Sequence, residues 1–94
     1  MPYVLVRHKV EDYTRWQPVF DENTPLRQAR GSKGGYVFRN IDNPSEVIVL
    51  LEWENLEKAR HFMQSEELKA AMRRGGVAEQ PDIYFLEEVT KPSV

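Results

Sequence analysis

From Val47 to Met63 the chain reads VIVLLEWENLEKARHFM, and its hydrophobic period changes midway. Strand formers run to Leu51 and end on Trp53, after which Leu56, Ala59, Phe62 and Met63 recur at the spacing of one helix face. Asn55 stands where it can cap that helix, and Ser65, with Glu66 and Glu67, marks a second cap before Leu68, Ala71 and Met72. Gly75 and Gly76 then stop the helix. Upstream, Tyr3 to Val10 read as a first strand followed by an acidic helix start at Glu11 and Asp12. Tyr13, Trp16, Val19, Phe20, Leu26 and Ala29 keep a helical period that Pro18 and Pro25 interrupt. Thr24 before Pro25 reads as an N-cap restarting a second piece, Pro25 to Arg30, which Gly31 ends. GSKGG, residues 31–35, reads as a turn leading into YVFRNI. A loop around Asp42, Asn43 and Pro44 joins that strand to VIVLLEWE, residues 47–54, as a hairpin. Ile83 to Val89 form a fourth strand, so residues 3–89 are the expected ordered core and 90–94 a loose tail.

The order βαββαβ in one domain, residues 1–94, predicts an α+β, ferredoxin-like fold: a four-stranded antiparallel sheet with two kinked helices on one face. Such a sheet should be polar on its open face. Instead both faces are apolar, with Val4, Val6, Val47, Val49, Leu51 and Trp53 on one side and Leu5, Ile48 and Leu50 on the other. A second copy is the expected cover, through an interface of Leu5, Arg7, Ile48, Leu50 and Glu52 in which Arg7 and Glu52 pair. Parity places His8 and Trp53 together on the helix-covered face, in what is expected to be one cleft.

Charge and composition narrow the partners. Thirteen Lys and Arg against 15 Asp and Glu are interspersed, leaving no basic footprint for nucleic acid or anionic lipid. With no Cys there is no disulfide and no thiolate nucleophile, and two His are thin material for a metal site, so none is expected. The opening MPYVLVRHKV has neither a basic n-region nor a small-residue cleavage site, and the expectation is a cytoplasmic chain without a membrane span.

Each candidate for chemistry also has a plain structural reading. His8, in an otherwise apolar face, has the intrinsic pKa of a proton shuttle, or is a satisfied histidine at a strand end. His61 points away from the apolar stripe of its helix and reads as surface. Trp53, Trp16 and Phe20 either stack on a flat ligand or pack the core. Tyr13, Tyr36 and Tyr84 either orient a phenolic or carbonyl substrate or span core and surface.

HKVEDYTRWQPVFDE, GSKGGYVFRN and VIVLLEWENLEKARHFMQSEELKAAM together resemble the antibiotic biosynthesis monooxygenase-like superfamily of dimeric α+β barrels, across residues 3–89. The resemblance implies a homodimer with a ligand cleft between sheet and helices in each subunit. It further implies a monooxygenase or related oxidoreductase that acts without metal, flavin or other cofactor on a small aromatic or polyketide-like substrate. His8 would be base or orienting donor and Trp53 the aromatic wall, with Tyr13, Trp16, Phe20, Tyr36, Phe62 and Met72 around the substrate. The alternatives are a non-catalytic dimer that binds a small apolar ligand or serves as an interaction module, and a haem-degrading monooxygenase. For the latter, His8 replaces the Asn and Met72 the ligating His that the resemblance would require.

Overall fold

Residues with a period of two make four strands, and their register sorts every side chain to one face or the other. The computed structural model describes residues 1–93; Val94, the end of the expected loose tail, lies outside the described residues. In chain order the elements are β1 (Tyr3–Lys9), α1 (Tyr13–Glu22), α2 (Thr24–Ala29), β2 (Ser32–Arg39), β3 (Glu46–Trp53), α3 (Leu56–Met63), α4 (Glu66–Arg74) and β4 (Asp82–Leu86). The strands form one antiparallel sheet in the order β2-β3-β1-β4. This is the expected ferredoxin-like α+β arrangement, with each of the two anticipated kinked helices divided into a pair.

The caps explain where the helices begin. Asp12 accepts hydrogen bonds from the Thr14 amide and hydroxyl, Asn55 from the Lys58 amide, and Ser65 from the Leu68 amide. Pro18 lies inside α1 without ending it. The hydrogen bond it removes would have gone to the Thr14 carbonyl, and both residues are exposed, so water can serve that oxygen. The break falls instead at Asn23, whose side-chain amide donates to the Val19 carbonyl at 3.0 Å. Asn23, not Thr24, therefore occupies the cap position of α2, and Pro25 follows within its first turn.

GSKGG is not a turn. The chain reverses at Gly31, which has φ +113°, and Ser32 already pairs with Trp53. The irregularity between Ser32 and Gly34 is a bulge that Gly34, at φ +91°, accommodates. Gly35 is required for a different reason: a Cβ there would stand 1.9 Å from the Leu50 carbonyl oxygen. The first and fourth strands are also shorter than expected, with Val10 surviving as a lone bridge to Val77 and β4 ending at Leu86.

The helices cover the face that carries Val4, Val6, Val47, Val49, Leu51 and Trp53, all buried in one core with Trp16, Ala59 and Phe62. On the other face Leu5, Ile48 and Leu50 are half-buried, while Tyr36, Phe38, Tyr84 and Leu86 are between 41% and 63% exposed. Both faces of the sheet are thus apolar, as the alternation requires. Arg7 does not pair with Glu52 within the chain. Its Cα partner is Ile48 whereas that of Glu52 is Tyr3, and Arg7 instead makes ion pairs with Glu46 and Asp82. No helix among the described residues is long and apolar enough to cross a membrane.

Gly35→Ala should destabilise the chain by more than about 2 kcal/mol, because the obstruction is backbone and cannot step aside. Urea unfolding followed by far-UV circular dichroism measures it. A change below about 0.5 kcal/mol, the range of an innocuous surface substitution, would contradict the close approach of β2 to β3.

Candidate functional site

Alternation along β1 turns Val4, Val6 and His8 toward the helices, so an imidazole enters the layer between sheet and helices. His8 is only 6% exposed, and neither ring nitrogen meets a hydrogen-bond partner among the described residues. Loss of hydration disfavours the charged ring and pushes its pKa down to about 4, so the ring is neutral at pH 7. A neutral imidazole offers one N–H donor and one acceptor nitrogen, and here neither is used.

His8 lines a cavity of about 60 Å³ between the sheet and all four helices. Val6, Val49 and Leu51 belong to its sheet side, Trp16 and Phe20 of α1 and Phe62 of α3 to its walls, and Met63, Leu68 and Met72 are among the other apolar residues that line it. His8 meets Trp16 edge-on at 5.5 Å between ring centroids, Trp16 stacks on Phe20 at 4.9 Å, and the Arg27 guanidinium lies 3.7 Å from the Phe20 centroid. A continuous file of π contacts thus leads from the buried imidazole to a cation. Asn23, Arg27 and the exposed Glu67 supply the polar part of the lining. Glu67 is already ion-paired with Arg30, which holds its carboxyl below the usual range.

The expected residues separate into two groups. His8, Trp16, Phe20, Phe62 and Met72 come together around the cavity. Trp53 shares the sheet face with His8 but not the cleft, which corrects the expectation of one shared site. His8 stands opposite Val47, and six further residues of β3 carry Trp53 about 20 Å along the strand. Trp53 is fully buried against Phe62 at 5.3 Å. Tyr13 meets Trp16 at a tilt, 5.8 Å between ring centroids, outside the cavity lining and beneath the Arg39 guanidinium. Tyr36 is on the opposite sheet face, stacked with Phe38, because its register partner is Leu50. Arg27 went unread in the sequence, although it falls seven residues after Phe20 and so continues an apolar helical stripe with a charge.

No group of three or more His, Cys, Asp or Glu among the described residues is placed to hold a metal ion. Haem does not fit: Met72 stands where a ligating histidine was required, and about 60 Å³ is far too little for a tetrapyrrole.

Residues 4–74 match the model of the antibiotic biosynthesis monooxygenase family. Among solved structures, one from Bordetella bronchiseptica, provisionally named an antibiotic biosynthesis monooxygenase, superimposes with a TM-score of 0.80 at 20% identity, covering 95% of this chain and 97% of that one. A similarly named structure from Caulobacter crescentus gives 0.75 at 20% identity over 95% and 90% of the two chains. A Mycobacterium tuberculosis protein, Rv0793, gives 0.70 at 9% identity over 99% and 100%. Among curated proteins no match is found.

The imidazole should also be visible in acid unfolding. The unfolded chain takes up a proton at His8 near pH 6.5 and the folded chain only near pH 4, so acid favours unfolding across that window. Stability that His8 leaves intact above pH 6.5 should fall by about 3 kcal/mol by pH 4, at about 1.4 kcal/mol per pH unit. His8→Leu should lack that component, while the carboxylate contributions common to both proteins cancel. Urea midpoints at pH 7 and pH 4 measure the difference, and identical pH profiles would contradict a neutral, buried His8.

Proposed function

Because the chain belongs to the antibiotic biosynthesis monooxygenase family, we propose that it is a homodimeric oxygenase acting on a small aromatic substrate in the His8 cavity without a cofactor. The observation that carries this reading is His8 itself: a buried, neutral ring with two unused nitrogens at an aromatic-walled cavity. An unmet polar pair of this kind costs stability, about 1–3 kcal/mol for each buried group. A substrate hydroxyl donating to the acceptor nitrogen would relieve it.

The chemistry follows from the surroundings. A phenol held against His8 can pass its proton to the ring and become the phenolate that dioxygen oxidises, one oxygen atom becoming the second carbonyl of a quinone and the other leaving as water with the hydroxyl and ring hydrogens. The aromatic anion and the imidazolium then stabilise each other in a site from which water is largely excluded. A pKa of about 4 makes His8 a weak base before substrate binds, and formation of the anion beside it is what would raise its proton affinity.

Size constrains the substrate. About 60 Å³ is less than half of the roughly 150 Å³ that admits benzene in an engineered protein cavity. A single-ring substrate therefore suits the site better than a polyketide, and it enters as the unbranched Met63 and Met72 side chains repack. The second subunit would cover the exposed outer face, where apolar side chains occupy the middle and the ion pairs of Arg7 lie at one end.

The same small volume favours a second reading, a non-catalytic dimer that binds a small apolar ligand. Aerobic incubation with a panel of phenols and hydroxyanthrones, followed by oxygen uptake, distinguishes the two. The oxygenase reading expects consumption by the wild type and a loss of about 100-fold in turnover for His8→Ala. No consumption of any member of the panel would remove the oxygenase reading and leave the binding one.

A further inference from the structure

Arg27 is a cation in a place that usually excludes one. It is 8% exposed, yet it forms no ion pair within 4 Å among the described residues. Its Nη1 donates to the Phe20 carbonyl at 2.8 Å and its Nη2 to the Thr24 hydroxyl at 3.0 Å. The Phe20 carbonyl belongs to the last turn of α1, so one part of the role of Arg27 is to close that helix end. A guanidinium has five N–H donors, however, and three remain beyond these two bonds. The side chain lines the His8 cavity; Glu67, the one acidic residue of that lining, is already committed to Arg30, and Asp21, whose charge acts on Arg27, makes no ion pair with it.

We propose that the cavity recognises a small monocarboxylate, its carboxylate on Arg27 and its apolar body between Trp16, Phe20 and Phe62. This rests on the reading of the His8 cavity as the ligand site and adds to it the charge of the ligand. The planar guanidinium matches a carboxylate in two parallel hydrogen bonds, and burial out of water strengthens the pairing. With Glu67 offset by Arg30 from outside the lining, Arg27 is the one uncompensated charge of the cavity and suits a monoanion; a phosphate dianion would remain half-uncompensated beside Glu67. An amine would meet Arg27 with like charge.

The test uses three ligands of one shape: benzoate, benzyl alcohol and benzylamine. Binding at pH 7 is followed by quenching of Trp16 fluorescence and by shifts of the His8 ring resonances. Benzoate should bind the wild type at least about tenfold more tightly than benzyl alcohol, and benzylamine should not bind. Arg27→Gln should bring benzoate and benzyl alcohol to within about twofold, whereas Arg27→Lys, which keeps the charge but not the fork, should retain the order with a smaller gap. If Arg27→Gln does not fold, the ligand series on the wild type and on Arg27→Lys still decides. Equal affinity of the wild type for benzoate and benzyl alcohol overturns the role of Arg27 and leaves the cavity reading standing. So does an undiminished benzoate preference in folded Arg27→Gln. If none of the three ligands perturbs Trp16 or His8, the cavity is not a ligand site and both readings fall together.

Discussion

A four-stranded antiparallel sheet has two faces, and a chain of 94 residues has one layer of helices with which to cover them. Everything else in the molecule follows from how the two-residue period divides side chains between those faces. On the covered side the division builds the core, with Val47, Trp53 and Ala59 wholly inaccessible. On the open side it leaves Tyr36, Phe38, Tyr84 and Leu86 in solvent around a half-buried strip of Leu5, Ile48 and Leu50. Apolar patches of that kind on small proteins mark surfaces that meet something else. The dimer proposed above lets both faces of β3 contribute burial, which a domain of this length needs more than a large one does.

The same period puts His8 where a valine would pack more comfortably. The neighbouring positions of its face, Val4 and Val6, are aliphatic, and the ring loses its hydration without gaining a hydrogen bond. Arg27 is a second departure of the same type, a cation continuing an apolar stripe. The two are joined by the contacts of Trp16 and Phe20, so the places where the chain departs from the simplest core lie along one cavity. Departures gathered in this way are what a binding site looks like when packing alone would have chosen otherwise. Trp53 also has a buried N–H without a partner, but it lies at the far end of the face and belongs to the core around Phe62.

Much of this was legible in the chain. The strand periods, the caps at Asn55 and Ser65 and the βαββαβ order are local signals, and the structure keeps them. GSKGG misled because glycines signal a turn on their own, whereas Gly35 is there to let two backbones approach, a condition set by β3 more than ten residues away. Parity correctly placed His8 and Trp53 on one face but could not say how far apart they stand, since that depends on the register of β1 against β3. The same holds for Arg7, whose partners Glu46 and Asp82 follow from register and not from composition. Tyr36 was misplaced because β2 begins four residues earlier than its glycines suggested, and its pairing with Leu50 fixes its face. Arg27 is not legible in the sequence because single charges on short helices are common, and only burial distinguishes this one.

Sedimentation equilibrium at micromolar concentration tests the central claim, that one helix layer leaves an apolar sheet face which a second copy must cover. The expected result is a particle of twice the 11.0 kDa chain mass that Leu50→Arg converts to a folded monomer. A wild-type chain that stays at 11.0 kDa, with Tyr36 and Phe38 open to water, would contradict it.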